Sequence, residues 1–199
     1  SILKAAKKSR ADLVIIKKAA RLQVRKRFLK QENADKLLAN SACPVMTIDQ
    51  QPALDGINRI LLPVDITKET KNKVAWAKSL AKRYGSELYV VSVQTMDIHH
   101  GQSYSYKKGR QIEDELKKEG IKAELVILKQ GKKARVDAVI EYAQEIQPDL
   151  LLIMTHQENV LFDNYLGSFA SELIHRAPMP VFSVAPRKKT LMSSLIDSV

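Results

Sequence analysis

The sequence contains an internal repeat that links its two ends and leaves its middle unmatched. Residues Ile2–Ile16 align on Val139–Ile153 without a gap, and after a slip of one residue Asn33–Ile48 align on Phe169–Val184. We call Ile2–Ile48 the N-terminal repeat and Val139–Val184 the C-terminal repeat. The identical pairs are Ala6/Ala143, Asp12/Asp149, Leu13/Leu150, Ile16/Ile153, Ala34/Ala170, Leu37/Leu173, Pro44/Pro180 and Val45/Val181. Such a period encodes one supersecondary unit twice, here a helix, a strand, a helix and a strand.

The repeat predicts a complete α/β domain preceded by the last third of another. Residues 1–50 form the partial unit, and residues 51–57 are a polar linker that contains Pro52 and Gly56. Residues 58–187 form the complete domain, and residues 188–199 form a C-terminal tail.

Five strands alternating with four helices are predicted in the complete domain. Short apolar runs indicate buried strands at 58–65, 87–94, 149–154 and 180–185, whereas 121–129 begins with the alternation typical of an edge strand. Helices are expected from about 67 to 84, with Val74, Ala77, Ala81 and Tyr84 on one face, after a loop at 96–106, over 136–146, and from 167. Because parallel crossovers need connections of this length, the fold class is α/β, a five-stranded parallel sheet with helices on both faces, plus a partial second copy.

Composition indicates the compartment and excludes some classes. No apolar run approaches the roughly 20 residues that span a bilayer, and the first residues lack the apolar block of a signal peptide. The single cysteine, Cys43, has no partner for an internal disulfide. We therefore expect a cytoplasmic protein without a membrane association.

The net charge of +11 is concentrated near the N-terminus, where residues 1–50 carry 12 Lys and Arg against 4 Asp and Glu. The densest cluster is Lys17, Lys18, Arg21, Arg25, Lys26, Arg27 and Lys30. Nucleic-acid phosphates are one ligand for such a cluster. Only Phe28 interleaves it, so no platform for stacking bases is present and the sequence favours a solvated loop over a nucleic-acid site.

Ligands of parallel sheets bind beyond the carboxyl ends of the strands, where the strand order reverses. For this domain that rule indicates the ends of the first and fourth strands, at Asp65 and in the loop 154–168.

The residues around these strand ends carry a family resemblance. They are ILLPVD at 60–65, SVQ at 92–94, DLLLIMTH at 149–156, Gly167-Ser168 eleven residues later, and APMPVFSVAP at 177–186. With them the chain resembles the universal stress protein family, in a tandem form. The resemblance implies a fold like that of the adenine nucleotide alpha hydrolases.

The resemblance also implies an adenine-nucleotide site. Family members that bind nucleotide carry G-x2-G-x9-G-[S/T], which falls here on Met154, Gln157, Gly167 and Ser168. Asp65 would contact the ribose, and the adenine slot would be lined by Pro63, Val93 and Ile153. Glycines let a backbone approach a phosphate chain closely, and only the last glycine is present. We therefore expect Met154 and Gln157 to fill the ligand's space, leaving a degenerate site with no bound cofactor and only weakened binding of ATP or AMP.

The N-terminal repeat departs further from that motif, because its glycine positions hold Lys17, Ala20 and either Lys30 or Gln31. We expect this repeat to bind no nucleotide in the family manner.

No residue set indicates catalysis or a metal site. His99 and His100 follow Asp97, but adjacent residues rarely contact one ion. His156 and His175 accompany no nucleophile motif, and no phosphate-binding loop with its lysine occurs. We expect a protein that is not an enzyme.

Two functions remain open. The first is a regulatory stress-response module that acts through protein association, with the strands at Cys43–Ile48 and Met179–Val184 pairing antiparallel within the chain or across a homodimer. Cys43, Val45, Val181 and Val184 lie in these short apolar segments, whose unpaired edges favour pairing. The second is an ATP- or AMP-binding switch that retains a phosphate site at Gly167 and Ser168.

Overall fold

A computed structural model describes residues 1–18, 31–48, 56–64, 70–94, 104–129, 134–155 and 166–185. Within these ranges the helices are α1 (Ile2–Ser9), α2 (Gln31–Asn40), α3 (Lys71–Tyr84), α4 (Tyr104–Lys118), α5 (Arg135–Ile146) and α6 (Ser168–Arg176). The strands are β1 (Val14–Lys17), β2 (Val45–Ile48), β3 (Arg59–Pro63), β4 (Glu87–Gln94), β5 (Ala123–Lys129), β6 (Leu150–Met154) and β7 (Val181–Val184). No helix in these ranges has the length and apolarity needed to cross a membrane.

All seven strands form one sheet in the order β1-β2-β7-β6-β3-β4-β5. The five strands of the complete domain are parallel to one another, which confirms the predicted α/β class. Strand β5 lies at one edge of the sheet, as its alternating sequence predicts. The order reverses between β3 and β6, because the chain leaves β3 toward β4 and later returns to β6 on its other side.

Strands β2 and β7 join the two repeats into this single sheet. They run antiparallel, with Val45 opposite Ser183, Met46 opposite Phe182 and Thr47 opposite Val181. The alignment of the repeats makes Met46 equivalent to Phe182, so the pairing is symmetric about that central pair. The antiparallel arrangement of these two segments is therefore found within one chain.

The repeat is visible in backbone detail as well as in sequence. Val14 pairs with Val45 in β1 and β2, and Leu151 pairs with Val181 in β6 and β7, which is the same register. The Val14 N–H donates to the Pro44 carbonyl at 3.0 Å, and the equivalent Leu151 N–H donates to the Pro180 carbonyl at 2.9 Å. The two repeats therefore have the same strand pairing.

The first helix of each repeat also ends in the same way. Arg10 and Gln147, which are equivalent in the alignment, follow α1 and α5 with φ of 51° and 46°. They are the only non-glycine residues with positive φ in the described ranges. This left-handed conformation is uncommon without glycine, so its recurrence shows how closely the two backbones match.

Two hydrophobic cores lie on opposite faces of the sheet. One packs under α2, α5 and α6 and includes Leu38, Val139, Leu151, Leu173 and Val181. The other packs under α3 and α4 and includes Leu62, Ala77, Leu88, Leu116 and Leu152. This burial of both faces explains why the strands of the complete domain are apolar without alternation.

Two details of the sequence prediction are corrected. Tyr84 was expected on the buried face of α3 with Ala77 and Ala81, but half of its surface is exposed, at 50%. It is the last residue of that helix, directly before the left-handed Gly85 at which the helix ends. The helix predicted after a loop at 96–106 begins earlier, at Tyr104.

Candidate functional site

The candidate site lies at the carboxyl ends of β3 and β6, where the strand order reverses. Pro63 ends β3 and Met154 ends β6. The Val64 N–H donates to the Val91 carbonyl at 2.7 Å, so the chain stays bonded to β4 just past the end of β3. Asp65 and Gln157, two of the predicted ligand contacts, lie outside the described residues.

Three predicted slot residues lie on one face of the sheet. Ile153 and the half-buried Val93 belong to the core under α5 and α6, and Pro63 follows Leu61 of that core by the strand alternation. The Pro63 carbonyl accepts a hydrogen bond from Lys73 Nζ at 2.9 Å, which holds the end of β3 to α3. The structure therefore places Pro63, Val93 and Ile153 on the same side of three neighbouring strands.

The side chain of Met154 points the other way. It is 7% exposed and belongs to the core under α3 and α4, together with Phe182 and Val184. The sequence analysis expects this side chain to fill the space of a ligand, but the structure buries it on the face opposite Val93 and Ile153. The apolar slot is consequently free of the methionine side chain.

The N-terminus of α6 supplies the polar part of the site. Gly167 is the N-cap residue, and its N–H donates to the Thr155 carbonyl at 3.0 Å, which positions the helix start beside the end of β6. Glycine has no side chain to cap the helix, and Ser168 is exposed. The first amides of a helix lack intrahelical partners and favour an anion. This end of α6 is therefore chemically suited to a phosphate group.

Neither the backbone nor the packing requires glycine at position 167. Its φ is −60°, which any residue adopts, and an added Cβ would meet only the Thr155 carbonyl oxygen, at an ordinary 3.7 Å. An alanine here would leave the fold unchanged. A loss of ligand binding in Gly167→Ala would therefore reflect the space that the ligand needs and not a change of the fold.

The equivalent end of the N-terminal repeat is built differently. Lys17 occupies the position of Met154, and Lys18 that of Thr155. The sequence assigns Lys18 to a solvated cluster, but its Nζ is partly buried and donates to the Ala177 carbonyl at 2.7 Å, just past the last turn of α6. A cation is favoured at the C-terminal end of a helix. Lys18 of the basic cluster therefore contributes to the contact between the repeats.

His175, the one histidine within the described ranges, makes a structural contact with Asp35. His175 Nε2 lies 2.7 Å from Asp35 Oδ1, and the Ser171 hydroxyl donates to Asp35 Oδ2 at 3.0 Å, so Asp35 of α2 links the repeats across α6. Within the described ranges no three His, Cys, Asp or Glu side chains converge as metal ligands. His99, His100 and His156 lie outside these ranges.

Asp149 has a structural role that the sequence analysis missed. Its Oδ2 accepts hydrogen bonds from the backbone N–H groups of Asn58 at 2.8 Å and Arg59 at 2.9 Å, which fixes the start of β3 against β6. The signal was present, because Asp149 and Asp12 are the only acidic residues identical between the two repeats.

Comparisons with known proteins agree with this geometry. The model of the universal stress protein family matches residues 56–185, which is more than half of the chain. No curated protein sequence matches significantly.

Solved structures with this fold fall into two sizes. A universal stress protein from Archaeoglobus fulgidus DSM 4304 is 20% identical with a TM-score of 0.70, and the match covers 95% of this chain and 65% of that one. A protein from Pseudomonas aeruginosa UCBPP-PA14, described as a universal stress protein, is 18% identical with a TM-score of 0.72, over 94% of this chain and 67% of that one. The chain thus spans about two thirds of their length. A universal stress protein solved in complex with cAMP is 21% identical with a TM-score of 0.53, over 67% of this chain and 100% of that one.

Proposed function

The chain belongs to the universal stress protein family, and from that premise we propose that it is a non-enzymatic regulatory module that acts through protein association. In this proposal residues 1–50 are the last third of one family domain and residues 58–187 are a second, complete domain. In this proposal the adenine-nucleotide site of the complete domain is degenerate and binds ATP or AMP only weakly.

The observation that carries the association is the exposure of apolar side chains in the N-terminal repeat. Ile2, Leu13 and Ile15 are 41%, 37% and 58% exposed. Their equivalents in the C-terminal repeat, Val139, Leu150 and Leu152, are at most 1% exposed. In this proposal these side chains belong to a surface that further protein covers, either the rest of the first domain or a partner.

The weakened site follows from the residues that replace the family glycines. Glycine at position 154 would give the backbone a freedom that methionine lacks, and Gln157 stands at the second glycine position, outside the described residues. The proposed weakening rests on the loss of these two glycines and not on the Met154 side chain, which lies on the face opposite the slot. The phosphate site at α6 remains, so binding is weakened and not abolished.

A second candidate function, an ATP- or AMP-binding switch, is favoured by the open slot and the start of α6. The Met154 side chain lies on the other face of the sheet from Val93 and Ile153, and Ser168 is exposed at the uncapped helix N-terminus. A family structure of the same fold was solved with cAMP. In this reading Ser168 and the first amides of α6 hold the phosphates and the slot holds the base.

Calorimetric titration of ATP and AMP with Mg²⁺ tests the two candidates against each other. The association module predicts no binding tighter than roughly 1 mM, equivalent to about −4 kcal/mol. Micromolar binding that is lost in Ser168→Ala or Asp65→Ala would instead establish the switch. Gly167→Ala is the matched control that tests whether a bound phosphate needs the backbone of residue 167 to be free of a side chain, because the fold does not need glycine there.

A further inference from the structure

The two repeats present the same strand edge, but within the described part of the chain only one of these edges has a neighbouring strand. In the C-terminal repeat, β6 is covered by β3, with Ile60 opposite Leu150 and Leu61 opposite Leu151. In the N-terminal repeat, the equivalent strand β1 is the last in the sheet and has β2 as its only neighbour among the described residues. The C-terminal repeat therefore shows in atomic detail what fits the edge of β1.

The open edge of β1 has backbone groups ready to pair. The Val14 N–H donates to the Pro44 carbonyl and the Lys18 N–H to the Ile48 carbonyl, so even-numbered residues of β1 face β2. Because successive residues of a strand alternate in direction, the N–H and carbonyl groups of Leu13, Ile15 and Lys17 face the open side. An unpaired row of this kind is a template for a further strand.

Asp12 lies at the start of this edge, as Asp149 lies at the start of the covered one. Asp149 accepts two backbone N–H groups from the first residues of β3, and Arg59 Nη1 donates to the Ile146 carbonyl at 2.7 Å. Asp12 is exposed and makes no hydrogen bond or ion pair with any other described residue. Its carboxylate and the C-terminal carbonyls of α1 are together complementary to a strand that begins with two free amides and a basic side chain.

The apolar side chains beside β1 indicate that more than a strand is missing. Leu150 and Leu152 of β6 pack in the core under α3, the helix that follows β3. Leu13 and Ile15 are their equivalents and are exposed. A partner with a strand followed by a helix would cover the edge of β1 and these two side chains together.

We propose that the edge of β1 is a docking site for a parallel β-strand of the β3 type, held at its first residues by Asp12. The occupant is a segment from outside these 199 residues with a basic first residue, a continuous apolar run and a helix after it. The proposal deepens the association proposed above and rests on it. The solved structures that match nearly the whole chain are longer than it, and about a third of their length lies outside the match.

A second copy of this chain is a poorer fit to the same edge. Its β3 has the required sequence, but Ile60, Leu61 and Leu62 are fully buried at the centre of the sheet and are not available to pair in trans. If two β1 strands paired antiparallel, no backbone N–H groups would lie in front of Asp12 as those of Asn58 and Arg59 lie in front of Asp149. Self-association through β1 is accordingly the outcome that opposes the proposal.

The test uses the 199-residue chain and a fluorescent peptide with the sequence of residues 57–64, INRILLPV. Binding is followed by anisotropy up to millimolar protein, and hydrogen exchange reports protection of the Leu13, Ile15 and Lys17 amides. We expect saturable binding that protects these amides and is about tenfold weaker in Asp12→Asn, from loss of a charged acceptor. Ile15→Pro removes an N–H that faces the open edge together with the exposed isoleucine side chain, and it should abolish binding.

Two controls make the result specific. Asp114→Asn removes an exposed carboxylate on α4, beside the other sheet edge, and should leave binding unchanged. A peptide with proline in place of Arg59 lacks one of the two backbone N–H groups that we expect to donate to the Asp12 carboxylate. It should bind the unchanged protein about as weakly as the original peptide binds the Asp12→Asn variant.

A fusion of the peptide to Ser1 through a flexible Gly/Ser linker raises its effective concentration and covers the case of weak binding in trans. The fusion should protect the same three amides, and Asp12→Asn should reduce that protection. Absence of protection in the fusion would overturn the proposal, as would binding unaffected by Asp12→Asn and Ile15→Pro. If the chain forms a homodimer that Ile15→Pro does not affect, the protein association proposed above stands but does not involve β1. If Ile15→Pro dissociates the dimer, the partner at β1 is a second copy of this chain and not a strand from outside it.

Discussion

The N-terminal and C-terminal repeats share a backbone and differ in what surrounds them. Both contain a helix ending in a left-handed residue, a central strand, a second helix and a last strand with the same register. The C-terminal repeat has β3, β4 and β5 on its far side, whereas the described part of the N-terminal repeat ends at β1. The comparison teaches that the local fold depends on the repeat itself, and that burial depends on the neighbours.

The largest difference is expected in the strands. Leu152→Ala removes a fully buried side chain and should lower the free energy of unfolding by about 3 kcal/mol. Ile15→Ala removes the equivalent side chain where it is 58% exposed and should cost less than about 1 kcal/mol. Urea unfolding of both variants measures the contrast. Equal losses would mean that Ile15 is covered in solution, and the comparison of the two edges would then fail.

A smaller difference is expected for the two equivalent acids. Asp149→Ala leaves two backbone N–H groups without their acceptor and should cost about 2 kcal/mol, while Asp12→Ala should change stability by less than about 0.5 kcal/mol. The same unfolding assay applies. Asp149→Asn keeps one oxygen acceptor and should fall between these values, and a large loss for Asp12→Ala would show that its carboxylate is already bonded.

Two buried hydroxyls offer a test in which the repeats should respond alike. Thr47 and Ser183 are equivalent residues, each 1% exposed, and neither hydroxyl oxygen has a hydrogen-bond partner among the described residues. An unpaired buried hydroxyl costs about 1 kcal/mol or more. Thr47→Val and Ser183→Ala should each raise the free energy of unfolding by roughly that amount. Destabilisation of one variant alone would break the symmetry of the β2–β7 junction.

The last contrast concerns alkaline pH and belongs to the C-terminal repeat. Burial raises the pKa of Tyr142 to about 12, and the negative charge of Glu124 adds to the shift, whereas the equivalent residue Ala5 does not titrate. Because the folded pKa is raised, the unfolded chain loses this proton first, near its ordinary pKa of about 10. The contribution of Tyr142 to the free energy of unfolding should therefore be fully present below about pH 10 and be lost as the pH rises toward about 12. Tyr142→Phe should flatten that decline in urea unfolding at a series of pH values, and an unchanged slope would assign it to other groups.

Much of the fold could be predicted because its signals are local. Continuous apolar runs identified β3, β4 and β6 as buried strands, and the alternation of Ile121, Ala123, Leu125 and Ile127 identified β5 as an edge. The antiparallel pairing of β2 with β7 was predicted from the family resemblance, which implies that the corresponding edge strands pair between domains, and from the tendency of short apolar edges to pair. The strand assignments needed only the period of a pattern and the identity of its residues.

The candidate site was predicted less completely, because the motif gives the place of each residue in the sequence but not the face of the sheet on which its side chain lies. Met154 was placed correctly at the end of β6, but the face that its side chain occupies depends on the strand alternation relative to the two cores. Lys18 was assigned to solvent because nothing near it in sequence shows the Ala177 carbonyl across the repeat junction. The predicted contacts Asp65 and Gln157 stay predictions, since they lie outside the described residues.

The sequence alone determined that one pattern of helix, strand, helix and strand recurs near the two ends of this chain, because hydrophobic period is a property of each segment. It also determined that Asp12 and Asp149 are equivalent. Only the tertiary structure decided that one of these carboxylates holds a neighbouring strand and that the other lies at an open edge. The physical reason is that hydrogen bonds and burial belong to pairs of segments, and identical segments acquire different roles when their neighbours differ.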